Sequence, residues 1–326
     1  MFLGGAIPIT GFCGRRPRRQ KILFRIYRRM HSAVGLLALV AAVCPVAASE
    51  DARGPAFTSV PELSAGFHSL YAQRFSEARQ EFDEWESRHP EEPFGEVAVA
   101  ACYLFEELFR QGVLSSDFFL NEKRFLNGIE GKPDAERMKG FEEALALARK
   151  LAKARLASNP REPEALFALT LASGMESNAA MMLKKQHLES LKRLKEANEY
   201  AKQLLAEQPD ANDAYVALGT ANYIIGSLSG RTRFMLWFGG IHGDKKLGME
   251  QLGKTIDGGR YLRPFAKILL ALAARREKDD LAARKLLGEL SQEYPESTLF
   301  AAEYTKALAA ESVLGKAHKA SVASGP

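Results

Sequence analysis

EALALARKLAKARLASNPREP, residues 143–163, decides the fold. Its apolar side chains recur three and four positions apart with charged residues between them, so a helix here has one face for burial and one for water. Pro160 follows the last turn inside the acceptor-rich SNPREP, which closes this helix and offers a cap to the next. The same device recurs downstream. LKRLKEANEYAKQLLAEQ (191–208) runs into EQPDAND, and a later helix runs into YPEST (294–298). No run of alternating valine, isoleucine or threonine is flanked by hairpin turns, so the sequence reads as all-α.

These units share a register of about 34 residues, the period of one helix–turn–helix repeat. Gly66, Phe75, Ala78, Phe82 and Pro90 occupy its small, aromatic, small, aromatic and terminating positions; Ala271, Ala283, Leu287 and Pro295 repeat it near the end. Ala78 to Pro90, Ala148 to Pro160, Ala197 to Pro209 and Ala283 to Pro295 are each separated by 12 residues. Tyr215, Leu218, Gly219, Asn222 and Tyr223 match the opening of another copy. On these residues the chain resembles the tetratricopeptide-repeat superfamily. The resemblance implies a right-handed α-solenoid of six or seven antiparallel helix pairs over residues 59–312, acting as an adaptor without chemistry of its own.

The departures from the repeat are informative. GVLSSDFFLNEKRFLNGIEGKPDAE (112–136) lacks the terminating pattern and reads as a helix pair with an altered turn, with a loop at Asn127-Gly128, Gly131 and Pro133. Residues 177–208 contain neither glycine nor proline and predict one helix of up to 32 residues. Residues 226–259 form a glycine- and aromatic-rich insertion carrying Phe234, Met235, Leu236, Trp237 and Phe238 in succession. Flanked by Arg231, Arg233, Lys245 and Lys246, that run suits a membrane interface, a protein partner, or a short buried helix that plugs the array. From Gly240 to Leu252 the pattern G-x-x-G-D-(x)3-G-(x)3-L is similar to a turn in the eukaryotic outer-mitochondrial-membrane tetratricopeptide family linked to inclusion and lipid-droplet turnover.

The formal charge of +5 misleads, because eight of the 45 basic residues lie in the first 48 positions, where no acid occurs. The remainder holds 37 basic and 40 acidic groups, a net −3, which removes the case for nucleic-acid binding through bulk charge. That leader has a basic stretch, an apolar run of 16 (33–48) and small residues Val46 and Ala48 before Ser49. It reads as a signal peptide or an N-terminal anchor over 1–48, with 1–29 a mis-called extension if Met30 is the start. Residues 49–58 follow as a linker, and 313–326 read as a disordered tail. Export to the periplasm or cell envelope is the expected location. Cys102, within VAVAACYLF, reads as a small buried apolar residue.

No motif for chemistry survives inspection. GSLSGRTR (226–233) is one residue short of a phosphate loop, has arginine in place of lysine and follows no strand. The six histidines are scattered; His187 and Glu189, two apart, point to different helix faces. Glu106-Glu107 and Glu142-Glu143 read as solvated faces with nearby basic residues. The expectation is a non-enzymatic interaction scaffold with no cofactor or metal, binding a peptide or protein. Tyr215, Asn222, Tyr223, Arg233, Trp237 and Phe238 are the candidate partner-binding residues. The alternative is a membrane-peripheral or lipid-handling protein docking through residues 234–240.

Overall fold

Proline placement sets the helix boundaries. α1 (Pro61–Tyr71), α3 (Pro93–Arg110), α7 (Pro163–Asn178) and α12 (Arg263–Arg276) carry proline in the first turn, where its missing N–H costs nothing. α2 (Phe75–Arg88), α6 (Ala135–Ser158), α8 (His187–Glu207) and α13 (Asp280–Glu293) each stop two residues before a proline. The remaining helices are α4 (Ser116–Leu120), α5 (Glu122–Asn127), α9 (Tyr215–Ser227), α10 (Gly230–Phe238) and α11 (Lys245–Gly258), with α14 over 298–309. The computed structural model describes residues 60–238 and 241–309, and among these no strand occurs. The leader and the tail lie outside the described residues.

The helices pack as neighbouring pairs: α1 with α2, α3 with α6, α7 with α8, α9 with α11, and α12 with α13. Segment α4–α5 is thus inserted within the second pair and α10 within the fourth. Small residues allow the close contacts. Gly66 of α1 lies against the ring of Phe82, which is wholly buried. In the fourth pair a Cβ on Gly219 would come within 2.9 Å of the Gly248 carbonyl oxygen. Asp244 caps α11 by accepting the Leu247 N–H at 3.0 Å, and Leu252 is buried. The G-D-(x)3-G-(x)3-L pattern is therefore a cap followed by a glycine-lined helix contact.

Two expectations are corrected. Residues 177–208 do not form one helix. α7 gives way to a π-helical turn, Ala179–Leu183, then to Lys185 at φ 56°, before α8 begins at His187. The wide turn turns the Met182 carbonyl outward, where it accepts the Ile129 N–H at 2.9 Å beside Gly128, and Ser177 Oγ donates to the Ser190 carbonyl at 2.9 Å. Long-range bonds compensate the break, so neither glycine nor proline is needed. Glu107 is the second. It is completely buried, accepts from Arg137 at 2.9 Å and Arg110 at 2.7 Å, and also accepts the Asp134 N–H at 3.2 Å. Burial pushes this carboxyl up, but the hydrogen bonds from Arg110, Gln111, Asp134 and Arg137 outweigh it and hold it at about 2.

In an open repeat array each pair meets only its neighbours. Here the first pair also meets the last helices. Val60 N–H donates to Tyr261 Oη at 3.1 Å, and Tyr71 Oη donates to the Tyr261 carbonyl at 3.0 Å. Ser297 Oγ donates to Gln73 at 2.8 Å, and His68 contacts Glu296 at 2.9 Å.

Candidate functional site

The first members of the five pairs, α1, α3, α7, α9 and α12, face one another. Near one end they are joined by aromatic packing. Phe67 lies with its ring centroid 5.9 Å from Phe94 and 5.0 Å from Tyr261, and Phe94 lies 5.3 Å from both Phe167 and Tyr261. All four are buried. Tyr261 is held by Asp213, whose carboxylate accepts the backbone N–H groups of Arg260, Tyr261 and Leu262 at 3.0–3.3 Å. Burial raises the Asp213 carboxyl above its ordinary range, against the opposing effect of those amides.

Beyond this plug the inner helices part around a cavity of about 600 Å³, well inside the range of about 300–1,000 Å³ occupied by small-molecule sites. Its wall is predominantly apolar: Leu104 and Leu108 from α3, Leu171 and Met175 from α7, Ile224 from α9, Leu269 from α12. Successive turns of each inner helix contribute, because each is apolar on one face toward its pair partner and on a second toward the cavity. The inserted α4–α5 segment adds Phe119, Phe125 and Leu126 to the lining. Since α4 packs on α12 and α5 on the π-helical turn, the segment reaches across from one wall to the other.

One corner of the cavity is charged. Ser116, Arg275 and Glu303 line it, and the Arg275 guanidinium donates to Ser116 Oγ. Arg275 Nη1 lies 3.6 Å from Glu303 Oε2, an ion pair beyond hydrogen-bonding reach. Lys306 donates to Glu303 Oε1 at 2.8 Å and to Asp117 at 2.7 Å. The bond from Lys306 holds the Asp117 carboxyl below its usual range. Glu303 is 5% exposed, and its Oε2 has no hydrogen-bond partner. The Thr220 hydroxyl on the α9 wall is likewise without one.

The sequence-derived candidates lie elsewhere. Tyr223 is buried and its Oη reaches the Ala273 carbonyl at 3.4 Å. Asn222 donates to Gln251 at 2.9 Å, and Tyr215 has the Lys254 ammonium 4.4 Å from its ring centroid. These three sit on the face of α9 away from the cavity, whereas Val216, Thr220 and Ile224 of the same helix line it. On α10, Arg233 donates to the Gly226 carbonyl at 3.1 Å. Phe234 and Trp237 are 60% and 55% exposed, with nearly parallel rings 6.5 Å apart. The side chains of Met235, Leu236 and Phe238 lie outside the described residues.

Residues 226–233 are the end of α9 and the start of α10 rather than a loop between strand and helix. Cys102 is fully buried, and burial pushes its thiol far above the ordinary range. His187 Nδ1 faces the Met181 sulfur at 3.1 Å. Among the described residues, no group of histidine, cysteine and acidic side chains has the arrangement of a metal site. No protein-family model matches the chain, and no curated protein matches it.

The cavity is what sequence reasoning missed. Its signal lies in α7, LFALTLASGM, and α12, KILLALAA, which are apolar around most of their circumference. A helix paired on one side only has no use for a second apolar face.

Proposed function

We propose that the protein is a non-enzymatic binding protein that holds an elongated, largely apolar molecule, such as a lipid chain, in the cavity between its inner helices. The single observation carrying this reading is an apolar space of about 600 Å³ bounded by inner helices and crossed by an inserted helical segment. Apolar surface withdrawn from water contributes roughly 25 cal/mol per Å², so such a wall favours a hydrocarbon ligand over a polar peptide. The repeat register supports a tetratricopeptide-type, right-handed arrangement of the pairs as part of the same proposal. The order of basic, apolar and small residues in 1–48 supports an exported protein of the periplasm or cell envelope.

A second reading, docking of a membrane or a protein partner at α10, is favoured by the exposure of Phe234 and Trp237 beside Arg231 and Arg233. The two are compatible, since Ile224 and Leu228 line the cavity and α10 begins two residues later.

Native mass spectrometry of the full-length protein purified without detergent tests the first reading. The expected result is a bound mass that organic extraction removes, after which the protein takes up an apolar fluorophore. A ligand-free mass together with no uptake of the fluorophore overturns it.

A further inference from the structure

A cavity that needed only to hold hydrocarbon would be better served by an all-apolar wall. A buried carboxylate costs several kcal/mol unless its oxygens are hydrogen-bonded, yet Glu303 is one of the residues lining this cavity, and its Oε2 is buried without a donor. A serine or threonine hydroxyl can turn to a carbonyl of its own helix. A carboxylate accepts only and has no such recourse.

We infer that the corner formed by Ser116, Arg275 and Glu303 receives the hydroxyl group of an uncharged lipid. The inference rests on the proposal that the cavity binds an apolar chain, and it names the polar end of that ligand. The four charges at the corner, Arg275 and Lys306 against Glu303 and Asp117, cancel. A carboxylate or phosphate head brought there meets Glu303 Oε2, which repels it. An ammonium head meets the Arg275 guanidinium, 3.6 Å from that same oxygen. A neutral hydroxyl conflicts with neither, because it donates to Glu303 Oε2 and accepts from Arg275. The ligand class is accordingly a hydroxyl-terminated lipid, whether a long-chain alcohol, a sterol-like alcohol or a neutral acylglycerol. Fatty acids and phospholipids are disfavoured.

The test is competition binding on the full-length, delipidated protein with three probes of equal chain length: hexadecanol, its methyl ether, and hexadecanoate. Hexadecanol is expected to bind at least about tenfold more tightly than either, because a hydrogen bond to a charged acceptor is worth about that factor or more. The ether keeps the acceptor and loses the donor, so this comparison needs no variant. Glu303→Gln leaves the corner with a net positive charge and is expected to shift the preference toward hexadecanoate by about tenfold. Ether or hexadecanoate binding as tightly as hexadecanol to the wild type overturns the hydroxyl assignment and leaves the cavity reading standing. Binding of none of the three overturns both.

Discussion

Asp213→Ala probes the joint that closes the helix array. Its carboxylate accepts three successive backbone N–H groups, those of Arg260, Tyr261 and Leu262. Tyr261 in turn bonds to Val60 and Tyr71 and packs on Phe67 and Phe94, so one side chain fixes the contact between the beginning and the end of the array. Tyr261 and Leu262 are buried, and each orphaned amide there costs about 1–3 kcal/mol. The Arg260 amide is only partly buried and turns to water at little cost. Two amides give a loss of roughly 2–6 kcal/mol. Removing a carboxylate whose own burial is unfavourable offsets part of this, as the upward shift of Asp213 indicates. The expected net loss is about 3 kcal/mol, read as a lower urea midpoint by far-ultraviolet circular dichroism with an unchanged slope. A loss below about 1 kcal/mol would mean that water replaces the carboxylate and that Asp213 does not hold Tyr261 in place.

Three further outcomes are expected. Burial, with the hydrogen bond and charge of Glu86 and the charge of Asp83, raises the Glu96 carboxyl to about 8. The folded chain therefore binds a proton that the unfolded chain releases near its ordinary value. Stability falls as pH rises from about 4.5 to about 8 and then levels off, and Glu96→Gln flattens that slope in thermal melts; an equally steep slope in the variant contradicts the assignment. Gly66→Ala drives a methyl group into the wholly buried Phe82 ring and should cost about 1–2 kcal/mol in urea unfolding despite alanine's better helix propensity; a stabilised variant would show that α1 and α2 are not in close contact there. Cys102 should resist thiol reagents in the folded protein and react on denaturation, because it is buried and its thiolate is disfavoured; rapid labelling without denaturant would place it at the surface.

Much of the helical framework is legible in the sequence because its signals are local. Pro90, Pro160, Pro209 and Pro295 mark helix ends, and Gly66 opposite Phe82 marks a close helix pair. The break after α7 is illegible because Met182 and Ile129, 53 positions apart, satisfy the freed backbone groups. Glu107 reads as a surface acid because Arg137, its half-buried partner, lies 30 positions away. The cavity is illegible for a related reason. Phe67, Phe94, Phe167 and Tyr261 belong to three inner helices and the turn before a fourth, and no spacing in the chain announces that they meet. The aromatic run of residues 234–238 is conspicuous in the sequence, while the more ordinary leucines of α3, α7 and α12 build the cavity wall.

Gly174 gives the most direct measurement of whether the cavity binds an apolar ligand. It lies on α7 in the cavity wall, and a Cβ built there meets no atom within 4 Å. Gly174→Trp therefore projects an indole into the cavity without colliding at its point of attachment, and replacing a mid-helix glycine does not weaken the helix. Uptake of the uncharged fluorophore N-phenyl-naphthylamine by the delipidated protein should be weakened in the variant, with helicity and melting temperature retained. Uptake equal to that of the wild type, in a variant equally well folded, would contradict the cavity as the binding site.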